Sequence, residues 1–306
     1  MIQIFLIFWL ISSLLIIIDK QLIHLIIHLG IFSMVSAVCF FMLAAPDVAM
    51  AEAVVSVFTT IVFIVCFEKY YSLVDILVVP DKKAKFFRHL VPIGFTILLI
   101  ALFFMFIPDV PASTYLKEMY ISMFQQDIGG ENAVTAIYLG YRVYDTLFEA
   151  LMLLVSIAAI IHLSWHEKKL DIVDRTESGI GNYNIASATI RVIVPLIVMF
   201  SFYLIVNGHI SAGGGFQGGA LIAVLFICRY IIYHIHDMNI DRIIILEKLV
   251  FVLIAIVAIY FIFLGAGSWL SLPQGVYLMV MNLLVGIKIA CGFLVMFYRF
   301  MVYERR

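Results

Sequence analysis

Charge is what this sequence has least of. Asp, Glu, Lys and Arg together supply 13% of its 306 residues while hydrophobic residues supply 65%, too little polar surface to solvate a globular chain of this size. Cysteine is also sparse. Cys39, Cys66, Cys228 and Cys291 are widely spaced inside apolar runs and no CxxC pair occurs, which argues against redox or disulfide chemistry and for small packing residues. The chain has no internal repeat, Walker loop, dinucleotide fingerprint or HExxH, so nothing in it points to nucleotide or zinc-protease chemistry, and no enzymatic role is expected. The formal net charge of −1 carries no information about partners, and the short basic clusters have no nucleic-acid logic.

What is abundant is apolar sequence, with a mean hydropathy of +1.14. A hydrocarbon core takes roughly 20 apolar residues per helical crossing. Nine runs meet that need: Ile2–Ile18, Leu22–Ala44, Val48–Phe67, Leu90–Ile107, Ala133–Leu163, Ile190–Val206, Phe216–Tyr233, Ile243–Leu264 and Val276–Phe300. The expectation is an all-α, polytopic membrane protein of about nine transmembrane helices. The first run lacks a basic start and a small-residue cleavage site, so it reads as a helix and not as a signal peptide.

Basic residues fall in alternate connections: Lys20; Lys69, Lys82, Lys83, Lys85 and Arg88; Lys168, Lys169 and Arg175; Arg229 and Arg242; Arg299, Arg305 and Arg306. The opposite connections hold only Lys117. The positive-inside rule then puts the N-terminus outside and the C-terminus in the cytoplasm of a cell membrane. Two polar connections, Glu68–His89 and Trp165–Ser187, divide the chain into units of three, two and four helices, bounded at 1–80, 81–175 and 176–306. A short surface helix is expected near Thr114–Phe124, within the long connection Pro108–Asn132.

The segment NGHISAGGGFQGG (Asn207–Gly219) breaks the apolar sequence most sharply. Backbone that leaves helix geometry at membrane depth is tolerated only where it is buried in protein or lines a wet cavity. Gly214/Gly218 and Gly215/Gly219 give two overlapping small-xxx-small spacings, which let helices approach closely, and Gly208 and Gly213 extend the same packing motif. His209 within the break is either a relay residue or a structural hydrogen-bonder.

Ionisable residues inside the apolar runs are the next candidates, since each costs about 2.5–3.5 kcal/mol at a helix centre. Glu52 lies on a stripe with Ser56, Thr59 and Thr60; Asp47, following Pro46, reads as an interfacial anion at a helix start. Arg142, Asp145 and Glu149 are spaced three and four apart and project from one face, as either an ion-paired lock or a protonatable relay. Lys288 lies too deep to snorkel and needs a carboxylate partner or a neutral form; release and rebinding of a proton there is the favoured reading. Glu247 and Lys248 read as interfacial anchors. His24 with His28, and His162 with His166, have metal-compatible spacing, but two ligands make no site.

Over Asn184–Arg306 the Asn207–Gly219 segment and Asn282–Gly292, which includes Lys288, resemble the B subunit of Mrp-type multisubunit sodium/proton antiporters, with Ala212 where that motif usually has proline. APDVAMAEA (Ala45–Ala53) resembles the MbhD-like part, and Asn132–Leu154, with YRVYDTLFE (Tyr141–Glu149), the MbhE-like part, of the antiporter A subunit's C-terminal region. The resemblance implies a subunit that requires larger antiporter-type subunits and small membrane subunits as partners, moves sodium and protons, and needs no cofactor. It also admits the sodium-translocating arm of an energy-converting hydrogenase or similar redox complex, and a non-conducting scaffold.

Overall fold

A computed structural model describes residues 2–19, 21–71, 94, 97–98, 101, 105, 115–163, 184–233, 239–264 and 274–302. Their regular structure is entirely helical. The elements are α1 (Ile2–Ile18), α2 (Leu22–Met42), α3 (Pro46–Tyr71), α4 (Tyr115–Asp127), α5 (Ala133–Ala136), a π-helical turn (Ile137–Tyr141), α6 (Val143–Leu163), α7 (Asn184–Asn207), α8 (Gly215–Tyr233), α9 (Ile240–Leu264) and α10 (Gln274–Val302).

Six stretches among the described residues are long and apolar enough to cross a membrane: Leu22–Met42, Pro46–Phe67, Val143–Leu163, Ala188–Asn207, Ile240–Phe263 and Gly275–Met301. Ile2–Ile18 and Gly215–Tyr230 are shorter apolar helices. Of the nine expected spans, Leu90–Ile107 lies largely outside the described residues. The chain is a multi-pass membrane protein.

Helices α1 to α3 stand as neighbours. The Trp9 indole donates to the Ser36 hydroxyl at 2.7 Å and its ring lies 5.1 Å from that of Phe32, fixing α1 on α2. Gly30 leaves room for Thr60, whose hydroxyl would lie 3.0 Å from a Cβ at that position. Proline opens α3, where its missing N–H is no loss.

The single helix expected over Ala133–Leu163 is interrupted. Asn132 caps α5, its side-chain oxygen accepting from the N–H groups of Val134 at 2.9 Å and Thr135 at 3.4 Å. Residues 137–141 then widen into a π turn, and Arg142 leaves helix geometry at φ −115°, ψ 37°. A π turn shifts carbonyls out of the ordinary ladder, and buried carbonyls must find other donors. They do: the Thr146 hydroxyl donates to the Tyr138 carbonyl at 2.5 Å, and the Tyr277 phenol to the Leu139 carbonyl at 2.7 Å.

Helix α10 is the axis of the molecule. Two thirds (67%) of its spanning window is buried, against at most 28% for the other spans. One face joins α3 and α8 in a core that includes Phe58, Val62, Ala223, Ile227 and Phe297, with Phe58 and Phe293 stacked at 4.2 Å. The other meets the π turn, α6 and α9 through Leu139, Ile254, Leu278 and Met281. Within a bilayer, where lipid tails are as apolar as the side chains, close fit and hydrogen bonds decide how such helices pair.

Candidate functional site

Lys288 and Glu247 are each 1% exposed, and the ammonium rests on Glu247 Oε1. Lys288 Nζ also lies 5.0 Å above the ring of Phe251, one helical turn beyond Glu247. The antiparallel register of α9 and α10, in which Val250, Ile254 and Ala258 meet Met281, Leu278 and Tyr277, brings the two ionic residues together. Glu247 Oε2 is buried without a hydrogen-bond partner among the described residues. This corrects two expectations. Glu247 is no interfacial anchor, because α9 starts at Ile240 and carries Glu247 two turns into the bundle, and Lys288 has the carboxylate that the final helix does not offer. Lys248, next to it, faces outward.

A second polar cluster forms where the glycine break meets α3 and the π region. Asp47 Oδ1 accepts from Asn132 Nδ2 at 3.0 Å and from the Gly213 N–H at 3.1 Å, while Gln217 donates to the Asp47 carbonyl at 3.4 Å. The same Asn132 amide reaches the carbonyls of Ser211 at 3.0 Å and Gly208 at 3.2 Å, so its two protons serve three acceptors. Thr135 donates to the Gly208 carbonyl at 2.6 Å. Asp47 is therefore more than the interfacial anion expected of it: it starts a helix and also ties that helix to two segments 85 and 166 residues away.

One turn deeper, Asn282 Oδ1 accepts from the Gly215 N–H and the Tyr138 phenol, both at 3.2 Å, and its Nδ2 is buried with no partner among the described residues. The glycines set the spacing. A Cβ on Gly215 would overlap the Asn282 carbonyl and lie 2.9 Å from Gly286 N, and one on Gly219 would overlap the Gly286 carbonyl, so α8 lies backbone to backbone on α10. Gly218 meets α7 at the Ser201 carbonyl, and a Cβ on Gly208 would lie 2.7 Å from Gly214 Cα. Gly213, at φ +142°, holds a conformation that other residues rarely adopt.

The remaining candidates are dispersed. The His209 carbonyl accepts from the N–H groups of Glu131 at 2.8 Å and Asn132 at 3.0 Å, whereas its ring turns to the Val206 carbonyl at 3.0 Å. Arg142 and Asp145 pair at 2.5 Å with side chains 62% and 54% exposed. Since Arg142 sits in the turn before α6, the three charges do not share one continuous helix face, and Glu149, also exposed, has no ion pair among the described residues. Glu52 is half-buried, with Ser56 buried one turn on. His24 and His28 both lie near Asp19 Oδ2, at 3.4 and 3.5 Å. No group of three or more metal-ligating side chains occurs among the described residues; His166 lies outside them.

Residues 185–295 match the family described as a domain related to the MnhB subunit of Na+/H+ antiporter, and residues 7–71 match MbhD, a family of MBH subunits. Over 140 residues the chain is 31% identical to the "Putative antiporter subunit mnhA2" of Staphylococcus aureus strain JH9, covering 45% of this chain and 17% of that protein; strain JH1 has an equally similar one. The chain thus spans about a sixth of the length of these relatives. Its fold is that of a chain in the Mrp complex from Dietzia sp. DQ12-45-1b, with a TM-score of 0.77 at 18% identity over 99% of this chain and 35% of that one. A chain of the membrane-bound sulfane sulfur reductase (MBS), an archaeal respiratory membrane complex, is similar at a TM-score of 0.57 and 22% identity, over 72% of this chain and all of the other.

Proposed function

We propose that this chain, which carries an MnhB-related domain over residues 185–295 and an MbhD segment over residues 7–71, is a membrane subunit of a multisubunit Mrp-type Na+/H+ antiporter. Two findings support the assignment: the paired family matches in one chain, and the buried Glu247–Lys288 pair, which lies within the MnhB-related domain. The pair carries the mechanistic reading. Two charges withdrawn from water at membrane depth cost more than a hydrophobic pair of the same volume, so structure alone gives little reason to have them.

In this reading Glu52, Asp145, Glu149 and Lys288, with Glu247 added, belong to a hydrated relay whose protonation is coupled to sodium movement. Glu247 Oε2 and Asn282 Nδ2 have no hydrogen-bond partner among the described residues, so the carboxylate oxygen can accept a hydrogen bond from a water and the amide can donate one. Arg142 pairs with Asp145, and His209 contributes its carbonyl to the loop. The exposed carboxylate of Glu149 stands among outward apolar residues, Phe148 at 63% and Met152 at 70% exposure. Lipid does not tolerate such a charge, so another subunit covers this face. The working topology has nine crossings, with the N-terminus outside and the C-terminus cytoplasmic, and modules at 1–80, 81–175 and 176–306 joined by the Asp47–Asn132–Gly213 hydrogen bonds. The chemistry is ion transfer without covalent steps, and needs no bound cofactor.

The likeness to a respiratory complex keeps a second reading in view, a sodium-moving arm of a redox-driven assembly. Purifying the native complex and identifying its subunits separates the two. Antiporter-type membrane subunits alone, with sodium/proton exchange in everted vesicles, support the antiporter; co-purified iron–sulfur or nickel–iron subunits overturn it.

A further inference from the structure

The outward face of α6 carries a regular pattern that neither polar cluster uses. Asp145, Glu149, Met152, Ser156, Ala159 and Leu163 follow one another at alternating spacings of four and three residues, and all six are exposed. The opposite face of the helix, with Val143, Thr146, Ala150 and Ile157, is buried in the bundle. Alternating four-three spacing is the seam along which two helices cross at a shallow angle and interdigitate. From Asp145 to Leu163 the seam is about 27 Å long at 1.5 Å per residue, close to the roughly 30 Å of a hydrocarbon core. Its polar groups are unequal. Ser156 donates to the Met152 carbonyl at 2.8 Å and Asp145 pairs with Arg142 at 2.5 Å, so both are satisfied within the chain. Glu149 has neither a hydrogen bond nor an ion pair among the described residues, and it stands nearly two turns inside the span Val143–Leu163.

We propose, on the reading of this chain as one subunit of a larger membrane complex, that a single transmembrane helix of a different subunit packs along this seam and sets a lysine or arginine opposite Glu149. The length of the seam calls for a helix that crosses the whole membrane, and the small side chains of Ser156 and Ala159 let it come close in the half away from Glu149. The one unsatisfied carboxylate selects its chemistry, since a charge at this depth needs a counter-charge. Acyl chains would cover the apolar positions and leave Glu149 unpaired. A second copy of this chain, related by a two-fold axis along the membrane normal, would bring Glu149 against its own equivalent.

The test places a photo-crosslinking residue at Met152 or at Ala159 in the whole complex, within its native membrane, and identifies the captured neighbour by mass spectrometry. Both positions should capture the same subunit, within one apolar segment that contains a lysine or arginine. Glu149→Lys should then lower co-purification of that subunit by about tenfold or more, because like charges face each other, and exchanging the partner's basic residue for glutamate in the same complex should restore it. Capture of lipid, of this chain itself or of a segment without a basic residue would overturn the proposal, as would wild-type co-purification in Glu149→Lys or no recovery in the charge exchange. The identity of the captured subunit tests the antiporter assignment separately: a subunit of a redox complex, with its basic residue in place, would leave the seam standing and remove that assignment.

Discussion

Glu247 and Lys288, 41 residues apart in sequence, form a buried ion pair across the α9–α10 interface, with each side chain only 1% exposed. Removing one partner strands the other. Glu247→Ala or Lys288→Ala should therefore destabilise the chain by about 3–5 kcal/mol unless the remaining group becomes neutral. Replacing both, as Glu247→Leu with Lys288→Met, should restore most of that loss. Thermal unfolding of the detergent-solubilised complex checks the sign: a double variant no better than the singles would mean that the two residues are not coupled.

At the polar junction, Asn132→Ala removes one cap and the contacts to Asp47, Gly208 and Ser211 together. Each acceptor left buried without a donor costs about 1–3 kcal/mol. Loss of complex yield and faster proteolysis should follow. Asp47→Asn, which keeps an oxygen acceptor, should be milder, and equal effects of the two substitutions would contradict the role given to the Asn132 amide.

Glycine substitutions should divide by position. Gly215→Ala and Gly219→Ala push a methyl into the α10 backbone, whereas Gly275 has open space around it. The first two should reduce recovery of the assembled complex severalfold and Gly275→Ala should leave it unchanged. Blue native electrophoresis provides the measurement. His209→Ala should assemble normally, because its ring contacts only the nearby Val206 carbonyl while its backbone does the bridging.

Glu52→Gln and Glu149→Gln retain shape and hydrogen bonding without an ionisable group at neutral pH. Both should assemble, and both should cut sodium/proton exchange by about tenfold or more in everted vesicles. Exchange at the wild-type rate with normal sodium affinity would remove the residue concerned from the relay.

Much of this arrangement is legible in the sequence, and what is not has a common cause. Apolar runs reveal α2, α3, α6, α7, α9 and α10 because hydrocarbon thickness fixes their length, and the Gly214–Gly219 spacing reveals that two helices come close. Lys288 stands out because its depth demands an explanation. Its partner does not stand out. Glu247 lies near the start of its apolar run, and only the antiparallel register of α9 against α10 shows that it points into the bundle. Asp47 and Asn132 are hidden for the same reason: each looks like an ordinary cap until the partner 85 residues away is known. The π turn at 137–141 escapes notice too, since hydrophobic periodicity across Ala133–Leu163 reads as continuous helix, and the compensating donors, Thr146 and Tyr277, are identified only by packing.

Lys288→Arg provides the most direct measurement. Arginine preserves the positive charge beside Glu247 but cannot give up its proton in a protein, so it separates a structural ion pair from a proton-exchanging one. The variant complex should assemble to wild-type levels, and its sodium-driven proton flux in everted vesicles should fall by about tenfold or more. An assembled Lys288→Arg complex that exchanges sodium for protons at the wild-type rate would contradict proton release at this position and leave the pair with a structural role alone.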